Sequence, residues 1–309
     1  MKTVGRFAPT PSGRLHLGNV LCALLSWLSA KKQGGRVLLR IEDLDTARCG
    51  GETLTPLLLD DLAFLGLRFD GGYEKENYQS RRTAVYEGYF EKLRAAGLLY
   101  PCYCSRAQLH AARAPHAADG QAVYDGHCRR YLHGEAPPAG KAPAWRLTVP
   151  EETVRFTDGL QGDYAENLKT ACGDFLVRRA DGVFAYQLAV VVDDALTGVN
   201  EVVRGRDLLS STPRQLYLYR LFGFTPPRFY HIPLLLDAHG DRLSKRDGAL
   251  DMGALRERFS SPEPLIGLLA LTLGLVDHYT PLTAEALLPR FDWSRIPKTD
   301  LRLAEVSLL

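Results

Sequence analysis

The chain has 309 residues, 46% of them hydrophobic and 24% charged, an ordinary globular composition that excludes a disordered, collagenous or coiled-coil protein. Lys and Arg total 38 against 36 Asp and Glu, a formal net charge of +2. So even a balance permits an RNA or nucleotide partner without arguing for one.

The first hundred residues alternate in type. Val4 to Ala8 is short and apolar and runs into Pro9 and Pro11, which predicts a strand ending in a loop. Leu17, Val20, Leu21, Leu24, Leu25 and Leu28 then mark one helix face, and Gly34-Gly35 closes that helix. Arg36 to Ile41 predicts a second strand, and Leu58, Leu62 and Leu65 lie on one side of a helix over about 52–66. Strand, helix, strand, helix is the pattern of a parallel sheet covered on both faces, hence an α/β fold.

From about Gly97 the texture changes. Residues 110–143 are rich in Ala, His, Gly and Pro with little periodicity, an inserted loop-rich unit that needs something other than a hydrophobic core to hold it. Strand-like patterns return at Trp145 to Val149 and Phe175 to Arg179, and Phe184 to Val192 is regular again. Within it the run Gln187 to Val192 suits a buried strand or a buried helix, which periodicity does not distinguish. Leu234 to Leu236 predicts a strand before a turn at 238–240, and the last 60 or so residues read as helices. Their most apolar stretch, Leu265 to Val276, is a core helix, shorter than the roughly 18 residues a membrane span needs. With no apolar signal core at the N-terminus, a cytoplasmic protein with no membrane partner is expected, and a monomer.

Three groups of residues carry chemistry. In Arg6 to Asn19 (RFAPTPSGRLHLGN) a strand delivers a Pro-rich loop and His16-Leu17-Gly18-Asn19 opens a helix. Unpaired N–H groups and the macrodipole make such a helix start an anion site. Gly18 lets a nucleotide approach the backbone, and His16 can donate to phosphate oxygens. In Arg242-Leu243-Ser244-Lys245-Arg246, three cations and a hydroxyl on a turn after a strand suit a triphosphate. Each fragment alone is also compatible with an ordinary helix cap or a solvated basic loop. The third group is Cys102-Tyr103-Cys104 with Tyr124 and Cys128, in the segment that lacks a core; thiolates holding tetrahedral zinc would supply what that segment misses, and ordinary free thiols are the alternative. The six cysteines of the chain are too few for a disulfide scaffold, and Cys22, Cys49 and Cys172 read as structural or surface thiols.

Taken together, the first two fragments resemble the HIGH and KMSKS motifs of the class I aminoacyl-tRNA synthetases, and RIEDLDTAR at 40–48 and VVRGRDLLSST at 202–212 are similar to the glutamyl branch. Within that branch the chain most resembles the shortened glutamyl-queuosine tRNA(Asp) synthetases, over about residues 4–255. Asn19 stands for the last His of HIGH, and Arg242 and Arg246 replace the first Lys and last Ser of KMSKS, while Lys245 is retained. Residues 256–309 are too few for a further domain of typical size, so no anticodon-binding domain is expected.

The resemblance implies a Rossmann-type catalytic domain in two parts, 1–96 and 186–250, split by a zinc-bearing insert at 97–185 and followed by a helical segment at 251–309. It implies that ATP, brought with Mg²⁺, meets His16, Gly18, Asn19, Ser244 and Lys245, with His16, Asn19 and Lys245 catalytic. It implies that glutamate meets Arg6, Phe7, Ala8, Pro9, Thr10, Glu42, Tyr186 and Arg204. Two carboxylates and one ammonium need cations and an acid: Arg6 is able to hold the side-chain carboxylate bidentately, and Glu42 to pair with the ammonium at the carboxyl end of the sheet. The rival for Arg6 and Glu42 is a structural ion pair, and for Tyr186 a core tyrosine. The family's zinc set maps onto Cys102, Cys104, Tyr124 and Cys128, although chemistry alone leaves His127 and His110 open as the fourth ligand. The implied reaction is ATP-dependent glutamate activation, independent of tRNA, then transfer to queuosine in the anticodon of tRNA(Asp). Charging of a tRNA 3′ end and RNA binding without catalysis are the alternatives.

Overall fold

The computed structural model describes residues 2–46, 49–105, 123–236 and 251–302. β1 (Val4–Phe7) and β2 (Arg36–Leu39) pair in parallel, Val4 opposite Arg36 through Phe7 opposite Leu39, and α1 (Leu17–Lys32) connects them. The expected leucine face of α1 is buried, but so are Ala23, Ser26, Trp27, Ser29 and Ala30, because the helix is covered by more than the sheet. Its exit is tight: a Cβ on Gly35 would stand 2.4 Å from the Thr3 carbonyl oxygen, so only glycine fits between helix and strand. α2 (Gly51–Phe64) and α3 (Thr83–Ala95) follow.

Residues between α3 and the next long helix are largely antiparallel. β3 (Leu99–Cys102), β4 (Ala144–Leu147) and β7 (Phe175–Arg178) form a three-stranded sheet, and β5 (Thr153–Asp158) pairs with β6 (Gly162–Asn167) as a hairpin. The short α4 (Leu168–Ala171) is capped by the Asn167 side chain, which accepts the N–H groups of Lys169 and Thr170. α5 (Tyr186–Leu196) resolves the apolar run at 187–192 as helix. It is apolar nearly all round because it is buried on several sides, which hides any helical period from the sequence.

A second parallel pair, β8 (Glu201–Gly205) and β9 (Arg228–Ile232), is joined by α6 (Thr212–Phe222). β8 lies beside β1, where Asn200 N–H donates to the Val4 carbonyl at 3.0 Å. Neither strand is among the expectations from sequence: residues 202–212 enter there only as a motif, and 228–232 carry no reading. Neighbouring residues on these strands point to opposite faces: Leu38, Val202 and Phe229 join one buried cluster with α3, α5 and α6, while Leu39, Val203 and Ile232 join another with α1 and α2.

The C-terminal part contains α7 (Met252–Arg258), α8 (Glu263–Thr272) and α9 (Ala284–Leu287). The core helix expected at 265–276 is α8, all but its ends buried. The all-helical expectation needs correction: β11 (Leu301–Arg302) pairs in parallel with β10 (Leu235–Leu236). A two-residue strand has no periodicity to read, and this one is held by Leu301 N–H on the Leu234 carbonyl and Leu234 N–H on Asp300. The turn expected at 238–240 lies outside the described residues. Among the described residues no helix is long and apolar enough to cross a membrane.

Candidate active site and thiol cluster

The carboxyl ends of β1, β2, β8 and β9 open on one cavity of about 540 Å³, the place where ligands bind in open parallel sheets. It brings together Arg6, Phe7, Ala8, Pro9 and Thr10 from β1 and its loop, and His16, Gly18 and Asn19 from the start of α1. It adds Glu42 just past β2, Tyr186 at the first turn of α5 and Arg204 near the end of β8. Residues more than a hundred positions apart thus meet because each follows a parallel strand or opens a helix on the same edge. Ser244 and Lys245 lie outside the described residues. The chain flanking that loop reaches the same cavity: Pro233 to Leu235 line it, and Asp251 bridges His16 in antiparallel fashion.

The charges are arranged unevenly. Arg40 is paired with Asp194 and donates to Glu42 Oε1 at 3.0 Å, and Arg82 donates to Asp193 at 2.7 Å. Arg6 donates through Nη1 to the Val203 carbonyl at 3.1 Å and turns Nε toward Asp194 Oδ1 at 3.4 Å. Burial raises the Glu42 carboxyl above its ordinary value, although Arg40 and Arg6 pull it down.

Arg204 is different. It is 3% exposed, and its donors go to neutral groups: Nε to His231 Nε2 at 3.0 Å, Nη1 to Gln215 Oε1 at 2.8 Å and Nη2 to Thr212 Oγ1 at 2.8 Å. Among the described residues no carboxylate pairs with it. Burial lowers its pKa from the ordinary value, yet arginine does not deprotonate in proteins. A buried cation without a paired carboxylate among the described residues is costly, and an anion entering the cavity would relieve that cost.

Sequence reasoning missed several residues here. Asp207 lines the cavity; its only signal was its place two residues after Arg204-Gly205. Asp158 and His231 stand behind Arg204, and nothing in local pattern marks them. Cys22, expected as a structural or surface thiol, lines the cavity, and burial pushes its thiol up to about 11.

The second cluster lies in the antiparallel part. The sulfurs of Cys102, Cys104 and Cys128 all fall within 4.8 Å of one another, a group able to hold a metal ion. Cys102 ends β3, and Cys128 lies in the seven-residue 3-10 helical segment His127–His133. The Tyr124 hydroxyl stands 3.7 Å from Cys102 Sγ and 3.6 Å from Cys104 Sγ, and accepts the Cys128 N–H at 2.8 Å. His127 is exposed and outside the group, and His110 lies outside the described residues. Arg146 stacks 3.7 Å from the Tyr124 ring centroid and donates to Cys102 Sγ at 3.3 Å. Burial pushes the Cys102 thiol up, but the charge and hydrogen bond of Arg146, with the Cys104 N–H and the Tyr124 hydroxyl, together hold it below its ordinary value.

The model of the class I tRNA synthetase (E and Q) catalytic domain matches residues 2–290, and the chain belongs to that family. A glutamyl-Q tRNA(Asp) synthetase of Symbiobacterium thermophilum is 49% identical over 309 residues, covering 97% of this chain and 95% of its own. Another, from Nitratidesulfovibrio vulgaris, is 46% identical over 286 residues, with 90% and 88% covered. Within the class, the chain is therefore a member of the glutamyl-Q tRNA(Asp) synthetase family of ligases. Among solved structures, a glutamate tRNA ligase from Elizabethkingia meningosepticum in complex with its amino acid matches with TM-score 0.78 and 26% identity, over 98% of this chain and 67% of that one. A Mycobacterium tuberculosis methionyl-tRNA synthetase, 13% identical with TM-score 0.52 over 94% of this chain and 68% of that one, shares the fold alone.

The thiol cluster depends on a close approach. Gly173 has φ +63°, and a Cβ there would stand 2.4 Å from the Tyr124 carbonyl oxygen, where the two residues bridge. Gly173→Ala should cost about 1–3 kcal/mol through strain and displacement. Limited proteolysis should then cut within 97–145 before the parallel-strand body, and a cleavage pattern and melting temperature equal to wild type would count against this packing.

Proposed function

We propose that this enzyme activates L-glutamate with ATP in the absence of tRNA, then transfers the glutamyl group to queuosine in the anticodon of tRNA(Asp). The observation that carries the amino-acid part is the buried Arg204, with no carboxylate paired to it among the described residues, in a cavity shared with Arg6 and Glu42. The glutamate tRNA ligase bound to its amino acid supports the same part, and the relatives named glutamyl-Q tRNA(Asp) synthetase support the acceptor.

In this reading Arg6, with the segment Phe7, Ala8, Pro9 and Thr10, and Tyr186 and Arg204 hold the glutamate carboxylates, while Glu42 pairs with the ammonium. His16, Gly18 and Asn19 at the start of α1, with Ser244 and Lys245, hold the triphosphate, which arrives as its Mg²⁺ complex. A glutamate α-carboxylate oxygen attacks the α-phosphorus of ATP; the bond from that phosphorus to the bridging oxygen breaks, and pyrophosphate leaves. No protein nucleophile is needed, because positioning and charge stabilisation carry such chemistry. In the second step a hydroxyl of the queuosine cyclopentene ring attacks the acyl carbon, AMP leaves with the bonding pair, and the hydroxyl proton is released. Residues 97–185 are the insert that interrupts the catalytic domain of 1–96 and 186–250, and Cys102, Cys104, Cys128 and Tyr124 hold one structural zinc in it. The donors fit: three clustered thiols and a buried hydroxyl, with Arg146 offsetting the negative charge. Zinc there supplies folding energy to a segment short of a core.

Glutamate-dependent ATP–pyrophosphate exchange without tRNA is the first test. Lys245→Ala should lower that exchange about 100- to 1000-fold, as loss of one preorganised charge donor does. A fall under about threefold would make the loop a solvated basic turn. About one equivalent of zinc should co-purify with reduced protein; Cys104→Ser should lose it, and Tyr124→Phe should weaken it where His127→Ala does not.

The likeness to a glutamate tRNA ligase favours one rival, charging of the tRNA 3′ end. The acceptor is decided with tRNA(Asp) carrying queuosine and trimmed of its 3′ CCA. Glutamylation should survive trimming and disappear in tRNA lacking queuosine; loss on trimming would hand the reaction to the 3′ end.

A further inference from the structure

Behind the cavity, Asp158 and His231 form a pair that no step above uses. Both are fully buried, and His231 Nδ1 lies 2.6 Å from Asp158 Oδ2. Asp158 Oδ1 meanwhile accepts three backbone N–H groups, from Leu160 at 3.0 Å, Gln161 at 2.8 Å and His231 at 3.1 Å. Burial would raise this carboxyl, but the imidazole and those N–H groups hold it below the usual carboxylate range. An ionised carboxylate only accepts, so His231 must carry its proton on Nδ1. Burial brings the imidazole down to about 4, the Arg204 and Arg6 cations adding to the effect and Asp158 opposing it. The ring is therefore neutral at pH 7, and its Nε2 lone pair faces Arg204 Nε–H at 3.0 Å, with Thr212 Oγ1 at 3.2 Å. The Phe229 ring stacks beside it, centroids 6.1 Å apart.

A carboxylate placed directly on Arg204 would have fixed that guanidinium equally well, and would have neutralised it. A neutral imidazole fixes it and leaves the charge for a ligand. We propose that Asp158 and His231 are positioning residues of the amino-acid site: the carboxylate sets the Nδ1–H tautomer, and the free Nε2 lone pair holds Arg204 toward the cavity with its charge reserved for a substrate carboxylate. The inference deepens the glutamate reading and rests on it for the identity of the ligand.

Asp158→Asn is the discriminating variant. Its Oδ1 must stay with the three backbone N–H groups, so its NH₂ faces His231 Nδ1. The imidazole must then accept there and carry its proton on Nε2, donor against the Arg204 donor. The variant should raise the glutamate KM in exchange at least about tenfold, the scale of a lost hydrogen bond to a charged group, with the ATP KM unchanged. His231→Leu should do the same. His231→Gln, which returns an acceptor at the Nε2 position, should recover most of that loss.

Nitrogen-15 spectra of the wild-type imidazoles supply a readout that needs no activity. His231 should appear as the neutral Nδ1–H tautomer at pH 7 and switch to Nε2–H in Asp158→Asn. A wild-type Nε2–H or imidazolium form overturns the proposal, as does an unchanged glutamate KM in Asp158→Asn, or equal changes in both KM values. If Asp158→Asn fails to fold, the wild-type spectrum and the Leu and Gln variants decide. Wild-type protein that shows the expected tautomer but no glutamate-dependent exchange would overturn the glutamate reading and leave the pinning of Arg204 standing.

Discussion

A buried guanidinium with no carboxylate paired to it among the described residues is the constraint around which the cavity is arranged. Folding a cation into a low-dielectric interior costs several kcal/mol unless the charge is met. Arg40 and Arg82 are met by Asp194 and Asp193. Arg204 is met by an imidazole, an amide and a hydroxyl, which satisfy its hydrogen bonds without cancelling its charge. The four parallel strands explain how this is possible. Their carboxyl ends bring Arg6, Glu42 and Arg204 to one edge, while β9 and the β5–β6 hairpin bring His231 and Asp158 behind it.

The antiparallel region solves a different problem. Its own buried cluster around the thiols is small: Tyr100, Cys102, Tyr124 and Cys128, with Cys104 and Tyr131 against it. Polar contacts do much of the holding. Asp174 accepts from the Tyr100 hydroxyl at 2.6 Å, from Arg129 on both oxygens and from Val149 N–H at 3.0 Å. Arg146 then reaches the Asp174 carbonyl, Cys102 Sγ and the Tyr124 ring together. Such a unit is stable only when every buried charge is matched, which is why clustered thiols there suit a cation as well.

Much of the site was legible along the chain, and the limits of that legibility are physical. The leucine spacing of α1, the glycines that end it and the strand before it are local consequences of periodicity and backbone freedom, and they place His16, Gly18 and Asn19 at a helix start without any structure. The Cys-x-Cys spacing put two thiols in reach of one ligand by chain geometry alone. The run at 187–192 was ambiguous because total burial erases the alternation that separates helix from strand. The strands at 201–205 and 228–232, and the two-residue β11, are defined by what they pair with, so their own residues carried little sign of them.

What the sequence determined by itself was therefore local: a helix start just after a strand, an arginine and a glutamate beside the ends of strands, and a group of thiols in a segment short of core. Tertiary structure alone decided which charges remain available. Residue chemistry alone does not separate Arg6, Arg40, Arg82 and Arg204, and which of them is matched by a carboxylate depends on partners distant in sequence. Asp158 and His231 are 73 positions apart and show no local pattern, because hydrogen-bond partners and tautomers are properties of neighbours in space, and chain order does not encode them residue by residue.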